Sequence, residues 1–311
     1  MEKIKGYITT YGVILGLMVI MAFFTVMKAK FLTLDNMLNM LRQTSINGLL
    51  AIGMTFVILT GGIDLSVGSI VGAAGVFAAL VARTETGMPA YAAVLTGLLV
   101  GLIFGTINGI IISFFNVPAF IATMGMLSIA RGITLMSNNA RPVPGLNQGF
   151  LQIGGGNIGI IPVPIIILLA VIIIVYVVLY KTRYGRYIFA TGGNAVSARV
   201  SGINVKAIKC SVYMVSGLLA GLAGIILTSR VTSGLAQGGE GYEVDAIAAA
   251  VIGGNSLSGG RGRIWGTFVG FLIMGVMNNG LDMMAVNSYW QLIIKGIIII
   301  GAVMLDSINE K

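Results

Sequence analysis

Few residues in this chain are of a type that does chemistry, and their kinds narrow what that chemistry is. The 311 residues include no His, which removes imidazole acid–base catalysis and any zinc or haem site built on imidazole. Cys210 is the only cysteine, so there is no intrachain disulfide and no CxxC site. No Gly is followed by Lys, so there is no GxxxxGK[ST] phosphate loop, and any ATP that drives this protein must bind another chain. What remains is a small set of polar groups in apolar surroundings. Asp64 lies in GGIDLSVG, with Ser66 and Ser69 following at a turn that can open a helix. Its carboxylate either caps that helix start or lines a polar path. Arg131 (MLSIARGITLM) and Lys295 (WQLIIKGIIII) sit in apolar runs, where a charge is a functional candidate by default. Pairing with Asp282, Glu243 or Asp245 and snorkelling to an interface are their structural alternatives. Asn108, Asn116, Asn278 and Asn279 are amides in otherwise apolar stretches. Such amides suit a neutral polyhydroxylated solute, and they serve equally to hold helices together.

The elements that must position these groups are membrane helices. Hydrophobic residues make up 57% of the chain and charged ones 9%, against about a quarter charged in soluble domains. The surplus apolar surface must face lipid. Stretches of roughly 20 apolar residues predict spans near 8–27, 44–60, 66–82, 91–115, 118–136, 162–180, 208–228, 244–256, 264–284 and 288–305. The expectation is an all-α polytopic bundle of about ten transmembrane helices, some broken by Gly, forming a single domain over 1–311. The first stretch lacks a small-residue cleavage site and reads as an anchor. Residues 31–43 read as a separate amphipathic interfacial helix, with its start signal at Thr33 to Asn36 and Asp35 in its first turn. Tyr289 and Trp290 fit an aromatic belt.

Charge placement sets the orientation. The net charge of +9 points to basic loops of a membrane protein rather than to nucleic acid. Residues 181–209 hold Lys181, Arg183, Arg186, Arg199, Lys206 and Lys209 and no acid. That loop is expected in the cytoplasm, and six preceding spans put the N-terminus there too. Ten spans bring the C-terminus to the same side, along with Arg261 and Arg263. Lys28, Lys30 and Arg42 fall outside this pattern. Within the bundle, Gly97, Gly101, Gly105 and Gly109 recur every four residues, as do Gly217 with Gly221 and Gly266 with Gly270. These predict close helix packing. GGIDLSVG (61–68) and GGNSLSGG (253–260) share the pattern GGxxLSxG, and their even offset in spans gives both copies one orientation. Paired Gly-rich interruptions at membrane depth mark a transporter's central region.

The loop KTRYGRYIFATGGNAVSARVSGINVKAIK (181–209) contains one more signal. From Asn194 to Gly202 it has a capping Asn, helix formers and a terminating Gly. It predicts a short docking helix on the cytoplasmic face.

With these residues in view, the chain resembles the permease subunits of bacterial monosaccharide ABC importers. The resemblance is carried by GGIDLSVGS (61–69), GRYIFATGGNAVSARVSGINVKAIK (185–209), GYEVDAIAAAVIGGNSLSGGRGRIWGT (241–267), and NNGLDMM with SYWQLIIKGIIII (278–300), and runs from about residue 31 to the C-terminus. It implies a homodimeric channel in the bacterial cytoplasmic (inner) membrane, with lipid around it. It implies a separate ATP-binding subunit holding ATP and Mg, and an extracytoplasmic sugar-binding protein. The chain itself would hold no cofactor and catalyse no reaction. By position, Asn194, Ala195, Val196, Ser197, Ala198, Arg199, Val200, Ser201 and Gly202 would form the coupling helix. Family members often have Glu where this chain has Ala195, so an ionic contact at that point is not expected. The implied mechanism is alternating access, with a ribose-like sugar the first candidate substrate. Asp64, Ser66, Asn108, Asn116, Asn278 and Asn279 are the candidate pathway residues. An ion-coupled carrier working alone is the competing reading, and it would be expected to hold an acid or His relay at the midplane.

Overall fold

A backbone surrounded by lipid has no water to bond with, so it must satisfy its own polar groups, and a helix does this within one segment. The computed structural model follows that constraint. It describes residues 2–309, which form thirteen α-helices and one two-residue hairpin. In chain order these are α1 (Glu2–Met27), α2 (Leu34–Leu59), α3 (Val67–Ala82), α4 (Ala90–Ser113), α5 (Ala119–Ser137) and α6 (Gln148–Gly155). Strands β1 (Asn157–Ile158) and β2 (Ile161–Pro162) follow as an antiparallel pair. The rest are α7 (Val163–Lys181), α8 (Arg183–Gly193), α9 (Ala195–Val200), α10 (Val205–Val231), α11 (Tyr242–Ile252), α12 (Ile264–Met283) and α13 (Ser288–Asn309). Five of these, α4, α5, α7, α10 and α12, are long and apolar enough to cross a membrane. Shorter apolar stretches lie in α1, α3 and α13. The chain is an all-α membrane protein.

Helix α2 is the central post. Every residue from Thr44 to Leu59 is buried, as expected of a helix hydrophobic all round. It packs on α7, α10, α11 and α12. The separate interfacial helix expected at 31–43 does not exist. No Pro or Gly divides it from the apolar turns that follow, so both propagate as one helix from Leu34. Asp35 does stand in its first turn. The Thr33 hydroxyl bonds back to Lys30 O at 2.8 Å instead of capping. Other boundaries also shift. Helix α11 ends at Ile252, because Gly253 is followed by Gly254 at φ +83°, so the reading of 244–256 ran too far. Helix α6 was not expected, although Asn147 caps it by accepting from Phe150 N at 2.8 Å.

The glycine rows do what their spacing predicts. Helices α4 and α10 run in backbone contact. A methyl group on Gly101 would meet Gly217 O and lie 2.8 Å from Gly221 Cα. One on Gly105 would lie 3.0 Å from Gly217 Cα. Gly270 and Gly266 of α12 press in the same way on Ala249 of α11 and on Gly253 just beyond its end.

The connections sort into two ends. At one, Thr84 N donates to Gly145 O at 2.8 Å and Val143 pairs with Gly234, tying the 83–89, 138–147 and 232–241 segments together. The Arg83–Glu85 ion pair, 2.6 Å, and the Arg42 bond to Asn157 Oδ1, 2.6 Å, also lie there. At the other end the 60–66, 181–204 and 253–263 segments gather. We call this the basic end, because the described residues of 181–209 carry six basic side chains and no acid.

Candidate functional site

The basic end is built around glycine. Gly61 (φ +74°), Gly259 (φ +88°) and Gly260 (φ +71°) take left-handed conformations that side chains rarely adopt. Gly260 N donates to Leu59 O, the end of α2, at 2.9 Å. A methyl group on Gly259 would lie 2.8 Å from Gly61 N and 3.1 Å from Gly192 O. One on Gly192 would strike Leu59 O. The two GGxxLSxG copies therefore touch each other, and the end of α8 touches the second copy and the end of α2.

From that junction the chain continues into α9. Asn194 closes the gap between the helices, its Oδ1 accepting from Val196 N at 3.0 Å and Ser197 N at 2.9 Å. Ala198 turns inward and is buried. Ala195 is half-buried, while Val196, Ser197, Arg199, Val200, Ser201 and Gly202 are exposed. Gly202 stops the helix at φ +83°. Thus 181–209 holds two helices rather than the single short one expected. Helix α8 is fixed to α10 where the Tyr184 hydroxyl meets Ser211 Oγ at 2.7 Å. Burial pushes the Tyr184 phenol above its ordinary value, with the Ser211 bond opposing. Lys181, Arg183, Arg186, Lys206, Arg261 and Arg263 of the same end are also exposed. Helix α9 thus presents two bare valines, Val196 and Val200, at the basic end.

Behind the junction lies the first polar cluster. Asp64 is fully buried. Its Oδ1 accepts from Ser66 N (3.1 Å) and Ser66 Oγ (2.6 Å), and its Oδ2 from Ser216 Oγ of α10 (2.9 Å). Asn108 of α4 donates to Ser66 Oγ at 2.8 Å. The carboxylate thus both organises the start of α3 and ties α3 to α10.

Residues 36–303 match the family described as Branched-chain amino acid transport system / permease component. The chain belongs to that permease family. It is 47% identical over 304 residues to the ribose import permease protein of Bacillus subtilis (strain 168), covering 97% of this chain and 94% of that one. It is 44% identical over 314 residues to the ribose import permease protein of Escherichia coli (strain K12), covering 99% and 96%. It is 40% identical over 302 residues to the D-allose transport system permease protein of the same strain, covering 97% and 92%. No solved structure matches the chain.

The other sequence candidates of this permease fall in separate places. Asn116 is not in a helix. It is exposed, at φ +55°, in the turn between α4 and α5, because Pro118 ends the apolar run just beyond it. Asn279 exchanges amide hydrogen bonds with Asn36 of α2, at 2.9 and 3.1 Å. Asn278 donates weakly to Asp245 Oδ2, 3.4 Å away. Lys295 forms a 3.0 Å ion pair with the same Asp245 oxygen, which selects one of the three acids named for it. Arg131 instead donates to the carbonyls of Ala236 and Gly238, and so holds the 232–241 segment. Beside that segment, between α3 and α10, is a cavity of about 280 Å³ lined in part by Thr228, Gln237, Glu240 and Tyr242. Sequence reasoning missed these four and Ser216. The polar run SGLAQGGEGYE offered a signal for the loop residues. A serine in an apolar helix, 152 residues from its acid, offers none.

Proposed function

We propose that this permease is the membrane subunit of an ATP-driven importer of a monosaccharide, with a ribose-like sugar the first candidate. The observation that carries this is identity of 44–47% over nearly the whole chain to proteins named as ribose import permeases. The allose permease at 40% keeps the substrate class a sugar and leaves room for a hexose. In this reading the chain forms a single domain of about ten spans in the bacterial inner membrane, bathed in lipid and paired with a second copy. The basic end faces the cytoplasm, following the distribution of Lys and Arg, and both termini lie on that side.

ATP and Mg belong to a partner subunit, in keeping with the missing phosphate loop. That subunit docks on α9, the exposed Val196 and Val200 entering an apolar groove and Arg199 meeting its rim. Closure of the ATPase pair pushes α9. The push passes through Gly192 to Leu59 and to Gly260, so it reaches the end of α2 and the loop leading into α12 together. The two halves then rock around the sugar path. An extracytoplasmic binding protein delivers sugar at the other end, where the 280 Å³ cavity opens. Asp64, Ser66 and Asn108 bond chiefly to one another, so they hold the interruption beside the path.

The test is to purify the tagged chain from native membranes in mild detergent and assay ATPase activity, then uptake of labelled ribose and allose in vesicles. The expected result is a stoichiometric ATP-binding partner and sugar uptake that needs ATP and ignores ionophores. A chain that purifies alone and transports with ionophore sensitivity overturns the proposal.

A further inference from the structure

The interface between α2 and α12 carries polar groups at three levels. At the first, Asn36 and Asn279 satisfy each other. At the third, Thr55 Oγ1 lies 2.8 Å from Thr267 Oγ1, which also accepts from Asn255 Nδ2 at 2.8 Å. Both levels are closed. The middle one is not. Thr44 and Asn47, one turn apart on α2, face Gly275 and Asn278, one turn apart on α12, around a gap of about 10 Å³ that Met40, Gln43 and Asn279 also line. Thr44 Oγ1, Asn47 Oδ1 and Asn278 Oδ1 are buried there without a hydrogen-bond partner. Their residues are only 2%, 8% and 9% exposed. Asp245 Oδ1, on the acid that Asn278 touches, is also buried and unpartnered.

Unmet acceptors at membrane depth are costly, so such a set points to something that supplies hydrogen. The two amide oxygens on the gap, Asn47 Oδ1 and Asn278 Oδ1, can only accept. The Thr44 hydroxyl can donate or accept. The complementary group is one that donates through O–H and accepts on the same oxygen. A metal cation suits the site poorly, because the Lys295 ammonium already holds Asp245 at 3.0 Å. The gap has room for about one oxygen, and Gly275 lets the Thr44 side chain lie against α12, where a methyl would press on it.

We propose that Thr44, Asn47 and Asn278 form a hydroxyl-binding subsite on the sugar path, resting on the importer reading above. One hydroxyl of the transported sugar bonds there when α2 and α12 part. Water is the other source of the same chemistry, and the experiment separates the two.

The full transporter, with its ATP-binding subunit and binding protein, is placed in proteoliposomes. Thr44→Val keeps the shape and removes the hydroxyl, and Asn278→Leu removes an amide. Uptake of ribose is compared with that of its single-deoxy analogues, beside ATPase stimulation and the melting midpoint. The expected result is a loss of about tenfold in ribose uptake per variant, the usual effect of stranding one buried hydrogen bond. The loss should shrink for the one analogue lacking the matching hydroxyl. If Asn278→Leu fails to assemble, Thr44→Val decides alone. A lower melting midpoint with unaltered uptake, or an equal loss for every analogue, assigns the site to a structural water and overturns the proposal. A wild-type complex that imports no sugar on ATP overturns the importer reading and this one with it; a working wild type with indifferent variants overturns this one alone.

Discussion

The two GGxxLSxG copies share a local device and differ in everything around it. In the first, Asp64 and Ser66 bond side chain to side chain at 2.6 Å; in the second, Ser256 and Ser258 occupy the same two positions and meet at 2.9 Å. The first copy is drawn into the bundle, with Ser216 of α10 and Asn108 of α4 closing over it. The second is tied to the end of α2, Gly260 N donating to Leu59 O at 2.9 Å, and braced by bonds within its own neighbourhood. Asn255 Nδ2 bonds Ala250 O at 2.6 Å, Arg263 N donates to Asn255 Oδ1 at 3.0 Å, and Ser256 N donates to Arg261 O at 3.0 Å. Its Ser258, Arg261 and Arg263 reach the surface. One motif therefore gives an anchored turn and a presented turn. The difference lies in the carboxylate, which is costly to bury and is kept buried only by several donors at once.

The largest effect should come from breaking that anchor. Asp64→Leu strands the Ser66 amide and the Ser66 and Ser216 hydroxyls, at about 1–3 kcal/mol for each group left unmet. We expect loss of a stable folded bundle, read as a melting midpoint in detergent too low to purify against. Asp64→Asn keeps an acceptor toward Ser66 and should cost only about 1 kcal/mol. Ser256→Ala, the matching change in the presented copy, should also cost about 1 kcal/mol. Equal melting of Asp64→Leu and Ser256→Ala would erase the distinction between the copies.

Adjacent glycines sharpen the comparison where the copies meet. Gly192→Ala would push a methyl into Leu59 O and to within 2.5 Å of Gly260 N, both backbone atoms that cannot swing away. Overpacking of this kind typically costs about 1–3 kcal/mol. Gly193 has nothing within 4 Å of the same position. Gly193→Ala should leave uptake near wild type while Gly192→Ala lowers both stability and uptake. The reverse order would mean that α8 does not press on the end of α2 and the second copy.

On the presented side, Arg199→Glu reverses a charge on an exposed helix and touches nothing inside. Membrane insertion and melting should stay as they were, while uptake and co-purification of the ATP-binding partner fall by about tenfold, roughly 1.4 kcal/mol of binding. Full uptake in that variant would remove α9 from the coupling path.

Much of this arrangement was legible in the sequence, and the illegible part has one cause. Apolar runs read as helices because lipid leaves few alternatives. The rows at Gly97–Gly109 and Gly217–Gly221 read as a contact because small residues at a four-residue period have one packing use. The tie from Asp64 to Ser216 was invisible, as were the pairing of Asn36 with Asn279 and the facing of Thr44 on Gly275. Each joins residues far apart in the chain, so neither partner shows a local pattern. The continuity of α2 was missed for the opposite reason. Its amphipathic start and apolar end differ in character, and only the absence of a breaker between Gln43 and Thr44 makes them one helix.

The smallest effect concerns Asn194, which separates α8 from α9. Its side chain accepts from two amides at the start of a six-residue helix that is exposed on most of its surface. So short a helix has little propensity to form by itself. Its order then rests on this cap, on Ala198 packed beneath it and on Gly202 behind it. Asn194→Ala should cost about 1 kcal/mol. Because that cost falls on α9 alone, global melting should barely move. Amide exchange in 195–200 should quicken about fivefold while exchange in α3 and α10 stays slow. Faster exchange at Asp64 and Ser66 as well would tie the presented side to the anchored one more tightly than the contacts through Gly192 imply.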